Sequence, residues 1–220
     1  MATLISLIVF NLQCLVILIT FFYSLFIYKR ISPNYMKYFV IYTTIAFIVM
    51  VPIFIKNNLI LDLVFADWLN NFSLIFNFSF LVFFILLSMP DVKGRYLYLI
   101  IFGVFLLLII SSIFMNNAYL PVNSAFSINH LGLIFFSISY LFKLFSNTPD
   151  KDLKKMPVFW IVIGVLFCSL VNFPIVTLID YFLIRHINYT NNIILRNIPP
   201  FAYLVMYSMF LKSLSCSIQK

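Results

Sequence analysis

The sequence predicts an all-α polytopic membrane protein. Residues 1–220 form a single seven-transmembrane helix bundle, with its N-terminus outside and its C-terminus in the cytoplasm. Three observations predict it. The chain is 64% hydrophobic and only 9% charged, with a mean hydropathy of +1.11. A soluble domain carries about a quarter charged residues, so lipid has to be the solvent for most of this chain. The apolar runs are uninterrupted and lack a period of two, which excludes a membrane β-barrel and leaves helices. Finally, positive charge is sorted. Eleven of the fourteen Lys and Arg (Lys29, Arg30, Lys37, Lys93, Arg95, Lys143, Lys151, Lys154, Lys155, Lys212 and Lys220) fall on one side of a seven-span reading, and Lys56, Arg185 and Arg196 fall on the other. That is the positive-inside pattern.

The expected spans are 3–28, 38–55, 69–89, 96–115, 124–145, 157–180 and 196–215. Each is about the length a bilayer requires, and together with short connections they use the whole chain, leaving no room for a soluble catalytic domain. Residues Met1–Ser6 carry no basic segment and no clear cleavage site, so the first span reads as a retained helix. The second span is the shortest, and its start is placed as early as Asn34. Cytoplasmic turns are KRISPNYMK, PDVKGR and SNTPDKDLKKMP. Trp68 and Trp160 sit at opposite interfaces, as an aromatic belt expects. Residues 26–42 and 141–164 echo one another: helix, basic Pro-containing turn, aromatic helix start. Two readings fit the echo, a three-plus-one-plus-three duplication of the kind some transporters use or the plain recurrence of Lys and Pro in cytoplasmic turns.

Charge and motif content exclude several function classes. The net charge of +8 is an orientation signal that also favours anionic headgroups, not a nucleic-acid footprint. The chain has no Glu, and of its six Asp only Asp180 approaches the membrane, so a paired-carboxylate mechanism and an intramembrane carboxylate relay are absent. His130 and His186 have no companions at metal-ligand spacing, and Cys14, Cys168 and Cys216 match no zinc or redox pattern. Lys212 is too near the cytoplasmic end of its span to be a retinal-type lysine and reads as a snorkelling one. No enzyme, cofactor or metal centre is expected.

What remains is uncharged polar groups in the outer half of the bilayer. Asn70, Ser73 and Asn77 share one helix face. Ser169, Asn172 and Asp180 share another. Arg196, Pro199, Pro200, Tyr203 and Tyr207 form a stripe, Ser127, His130 and Ser137 lie on the fifth span, and Asn11 lies on the first, with Gln13 pointing elsewhere. Such groups are costly against lipid and should turn inward. They are either interhelical contacts, each contributing about 0.6–2 kcal/mol, or the lining of an outward-opening pocket for a small ligand. Pro52, Pro174, Pro199 and Pro200 free carbonyls in that same half. The candidate ligand-binding residues are Asn11, Asn77, His130, Asn172, Asp180, Arg196 and Tyr203, with Asp180 and Arg196 as a candidate ion pair. Lys151, Lys154 and Lys155 are candidates for binding a cytoplasmic partner.

Several landmarks carry a resemblance: Asn11-Leu12-Gln13 in the first span, the turn Lys29-Arg30-Ile31-Ser32-Pro33, and Pro157-Val158-Phe159-Trp160 with Gly164 opening the sixth span. Asn172 follows within that span, and a last helix begins near Asn197. Over nearly its whole length the chain resembles a group of small bacterial seven-helix inner-membrane proteins, which look like the sensory regions of some bacterial sensor kinases. The resemblance implies a multi-pass protein of the bacterial inner membrane that senses or signals through a separate cytoplasmic protein or membrane complex. The alternatives are a small-molecule transporter and a structural subunit of a larger membrane machine. Besides the lipid bilayer, no partner class follows from the residues themselves.

Overall fold

The computed structural model describes residues 2–59, 64–89, 94–115, 123–147, 152–184 and 193–218; of residues 2–6, 57–59, 64–67, 180, 183–184 and 193–196 it describes the backbone alone. These residues form seven α-helices and no extended strand: α1 (Ala2–Ile27), α2 (Met36–Leu59), α3 (Val64–Ser88), α4 (Arg95–Met115), α5 (Asn123–Asn147), α6 (Pro157–Ile184) and α7 (Ile193–Cys216). Two short 3-10 turns, Tyr28–Arg30 and Leu153–Lys155, stand just before α2 and α6. The echo in the sequence covers these same two places. α2 extends beyond the expected 38–55 at both ends, to Met36 and to Leu59, with the basic Lys56 in its last turn. Gly94, at φ 82°, opens α4 from a left-handed conformation that suits a residue without a Cβ.

Helices α1 to α6 each contain a stretch long and apolar enough to cross a membrane, and the chain is therefore a multi-pass helical membrane protein. The expected seventh span is present as the helix α7; within its residues 197–216, whose side chains are described, no stretch meets that criterion. Ala202, Met206, Tyr207, Phe210, Ser213 and Leu214 are buried in α7, and Ser217 just past its end, so this helix turns a continuous stripe inward.

Six helices form a closed ring in the order α1, α2, α3, α5, α6, α7, with α7 returning to α1; α4 lies outside, against α3 and α5. Only 11% of the α4 span is buried against 50% of α5, although α4 is the more apolar of the two. Ile109 and Ile113 face the bundle, while Tyr96, Leu97, Ile100, Leu107 and Phe114 face outward. In water that face would be a large exposed apolar patch; in a bilayer it is at home.

Close approach inside the ring depends on two glycines. A Cβ at Gly132 would meet the Phe78 ring at 2.6 Å, and one at Gly164 would meet Met209 Cβ at 3.0 Å and the Met206 carbonyl oxygen at 3.2 Å. Small residues allow such backbone contact in membrane bundles. At the basic end of the ring the core is aromatic. Tyr42 stacks on Phe80 at 5.1 Å, Phe39 meets Phe210 edge-on at 5.0 Å, and Phe210 meets Tyr207 at 5.2 Å. Each such pair contributes about 0.5–1.5 kcal/mol beyond area burial.

Candidate functional site: a polar chamber in the helix ring

The ring encloses a chamber of about 220 Å³. Every ring helix contributes to its wall. α3 supplies Asn70, Ser73 and Asn77, at the helical offsets that keep three side chains on one face. α5 supplies Phe126, Asn129, His130 and Leu133, a stripe of the same kind. α6 supplies Cys168 and Ser169, and α7 supplies Tyr203, Met206 and Tyr207. α2 contributes Tyr42, Ala46 and Met50, and α1 contributes Phe10, Gln13 and Ile17. No Asp, Glu, Lys or Arg stands among these described lining residues.

Ser73 donates to the Asn70 carbonyl at 2.7 Å. The Nδ1 of His130, a fully interior residue, lies 3.5 Å from Ser169 Oγ, a long contact that ties α5 to α6. Asn129 differs. It is 3% exposed, and its Oδ1 has no hydrogen-bond partner among the described residues. A buried carbonyl left without a donor costs about 1–3 kcal/mol, and this oxygen is closed off behind the wall rather than open to the chamber.

The structure brings Asn77, His130 and Tyr203 to one chamber and leaves Asn11 and Asn172 outside it. Asn172 stands behind the wall: its Nδ2 donates to Cys168 Sγ at 3.2 Å, one turn away, and its Oδ1 is buried without a partner. The positions of Asn11 and Gln13 reverse the expectation. Gln13 faces the chamber in register with Phe10 and Ile17, whereas Asn11 lines a separate groove between α1 and α2. A rotation of two residues on a helix carries a side chain more than half way round, and sequence spacing within α1 could not say which of the pair faced inward. The side chains of Asp180 and Arg196 lie outside the described residues, and so does the ion pair expected of them. Asn129 was missed because the neighbouring His130 drew attention to the Ser127–His130–Ser137 face. The signal for it was the run Phe126, Asn129, His130, Leu133, the period of a helix wall.

The basic end of the bundle is tied together by the end of α7. Ser32 N–H donates to the Ser217 carbonyl at 2.8 Å in a short antiparallel bridge between Ile31 and Ile218. Tyr23 Oη is 3.3 Å from Ser215 Oγ. The Lys154 carbonyl accepts from Trp160 Nε1 at 2.9 Å and from Cys216 Sγ at 3.6 Å. Both basic 3-10 turns therefore lean on the same helix end. Lys154 and Lys155 are exposed there, with Lys155 Nζ 3.1 Å from Asp152; Lys151 lies outside the described residues. The Lys155 ammonium, beside Asp152, holds that carboxyl below its usual range.

Among the described residues no three His, Cys, Asp or Glu come together as a metal site would require. Compared with models of protein families, with curated proteins and with solved structures, the chain matches none.

Proposed function

We propose that this protein is a seven-span receptor of the bacterial inner membrane. In this reading its N-terminus is outside, its chamber takes a small uncharged ligand, and its basic end signals to a separate cytoplasmic protein. The sorting of Lys and Arg supports the orientation. One observation carries the signalling role. α7 forms part of the chamber wall through Tyr203, Met206 and Tyr207, and two turns further on its end binds both basic turns. A ligand with different affinity for two positions of α7 would shift the surface bearing Lys151, Lys154 and Lys155. The resemblance to sensory regions of sensor kinases agrees with this division of labour.

The coupling is tested by filling the chamber. Ala46→Phe places a ring where a ligand would sit, and amide exchange at Leu153–Met156 and Ser217–Ile218 should change by fivefold or more. Unchanged exchange at both places sinks the reading. Reversing the charge of Lys151, Lys154 and Lys155 should abolish capture of the cytoplasmic partner, and capture unaffected by that change refutes the surface.

A transporter is the second reading, favoured by the symmetry of the ring. Contacts of α1–α3 repeat in α5–α7: α1 with α2 as α5 with α6, α2 with α3 as α6 with α7, and α3 with α5 as α7 with α1. α4 stands outside as a connecting helix, and Pro52 and Pro174 both fall in the second half of their helices, α2 and α6. Parallel repeats around a central site suit alternating access. Uptake into proteoliposomes that is indifferent to Asn77→Leu and Asn129→Leu would count against it.

A further inference from the structure

Between α1 and α2 lies a second cavity of about 590 Å³, larger than the chamber and of opposite character. Leu12, Leu15 and Phe54 lie on its lipid-facing side, and Phe47 and Leu18 close its end toward the basic face. The two helices meet below it, where Ser24 Oγ and Thr43 Oγ1 are 2.9 Å apart and Phe21 stacks on Phe47 at 4.5 Å. Beyond Phe47 the helices part, and Met50, Val51 and Phe54 of α2 face Ile8, Asn11 and Leu15 of α1 across the groove.

Groove and chamber are neighbours. Met50 lines both. Its side chain is the partition between an apolar slot on the membrane side and a polar, uncharged chamber within the ring. Methionine is unbranched and rotates readily, and its movement would join the two. The polar groups are distributed to match: Gln13, Asn70, Ser73 and Asn77 line the chamber, whereas the groove is lined by Leu, Ile, Val, Phe and Met side chains with Asn11 and Cys14.

We infer that groove and chamber together form one binding site for a single-chain amphiphile with an uncharged hydroxyl- or amide-bearing head. The ligand enters sideways from the bilayer between α1 and α2. Its head passes Met50 into the chamber lined by Gln13, Asn70, Ser73 and Asn77, and its chain stays in the groove. A carboxylate head is disfavoured, because the described lining residues include no Lys or Arg to offset the cost of removing its charge from water. The inference rests on the chamber being a ligand site and names the class of ligand.

The test uses the full chain in nanodiscs of diacyl phospholipid, since common detergents are themselves neutral single-chain amphiphiles. 1-Oleoylglycerol is the probe, with oleate, glycerol and hexadecane as comparisons, and retention is read by native mass spectrometry. One 1-oleoylglycerol should be retained per chain, oleate should bind at least tenfold more weakly, and glycerol and hexadecane should be lost. Met50→Trp should weaken retention tenfold or more while Met50→Leu leaves it within twofold. In the unaltered protein, a probe with a diazirine at the chain end should label residues 8–18 and 47–54 in preference to the outer face of α4. Retention of glycerol equal to that of 1-oleoylglycerol overturns the inference but keeps the chamber as a site for a water-borne ligand. Label spread evenly over α4 and α1–α2 overturns it as bulk partitioning. No retention of either compound, together with unchanged exchange in Ala46→Phe, removes the receptor reading as well.

Discussion

The pairs α1–α2 and α5–α6 occupy equivalent places in the ring, yet one is open and the other closed. α5 and α6 are joined in the half away from the basic end, where Ser127 Oγ lies 3.4 Å from Thr177 Oγ1 and His130 lies 3.5 Å from Ser169. α1 and α2 are joined near the basic end, by Ser24 and Thr43, and separate into the groove beyond. α6 is also held from behind, because Gly164 lets α7 approach to backbone contact. One chain can therefore repeat a helix arrangement and still place its opening on one side only. The position of a few hydroxyls and one glycine decides which pair parts.

That contrast can be broken most severely at Gly164. Gly164→Leu drives a side chain into the Met206 carbonyl, which cannot swing away. Overpacking of this kind should cost about 2–3 kcal/mol, read as a lowered unfolding midpoint in detergent. Gly103 is the control, since nothing lies within 4 Å of a Cβ there; Gly103→Ala should be neutral or stabilise by up to about 1 kcal/mol through helix propensity. Equal effects at both glycines would show that α6–α7 contact is not what closes the second pair.

Asn129→Leu sharpens the comparison from inside the chamber. Replacing an amide whose buried Oδ1 has no partner among the described residues with an apolar group should raise stability by about 1 kcal/mol, read as a raised unfolding midpoint. A loss of stability would mean that the amide already has a partner. Thr43→Ala should cost about 0.6–1 kcal/mol and speed exchange of amides in Phe21–Ile27, with no change near Ser169. The smallest effect belongs to Asp152. Its carboxyl is held below its ordinary value near 3.8 by Lys155, so its contribution is present above that pH and fades as pH falls through the lowered value. The pair is fully exposed and screened. Asp152→Asn should therefore leave the midpoint at pH 7 nearly unchanged, and a clear drop would assign the pair a role in holding the turn to α7.

Much of the membrane architecture was legible in the residues. Apolar runs with few charges become helices in lipid because no other open backbone arrangement satisfies its own hydrogen bonds there. The Asn70–Ser73–Asn77 face was readable for a similar reason, since spacing along one helix is a local property. The periodicity within each span could not say which helices are neighbours. α4 is among the most apolar stretches and lies outside the ring, while α7 is less apolar and lies within it. Lipid and protein interior are similar solvents for an apolar side chain, so hydropathy does not distinguish the two faces.

The sequence by itself determined that the chain is a multi-pass helical membrane protein with a basic end. The balance of apolar and charged residues leaves no other solvent for it, and both properties depend on composition along the chain. The tertiary structure alone decided that Gln13 rather than Asn11 reaches the chamber, that Asn172 stands behind Cys168, and that Met50 divides a polar space from an apolar one. Those depend on the rotation of each helix about its axis. That rotation is set by contacts between residues far apart in sequence, such as Gly164 with Met206 and Ser24 with Thr43.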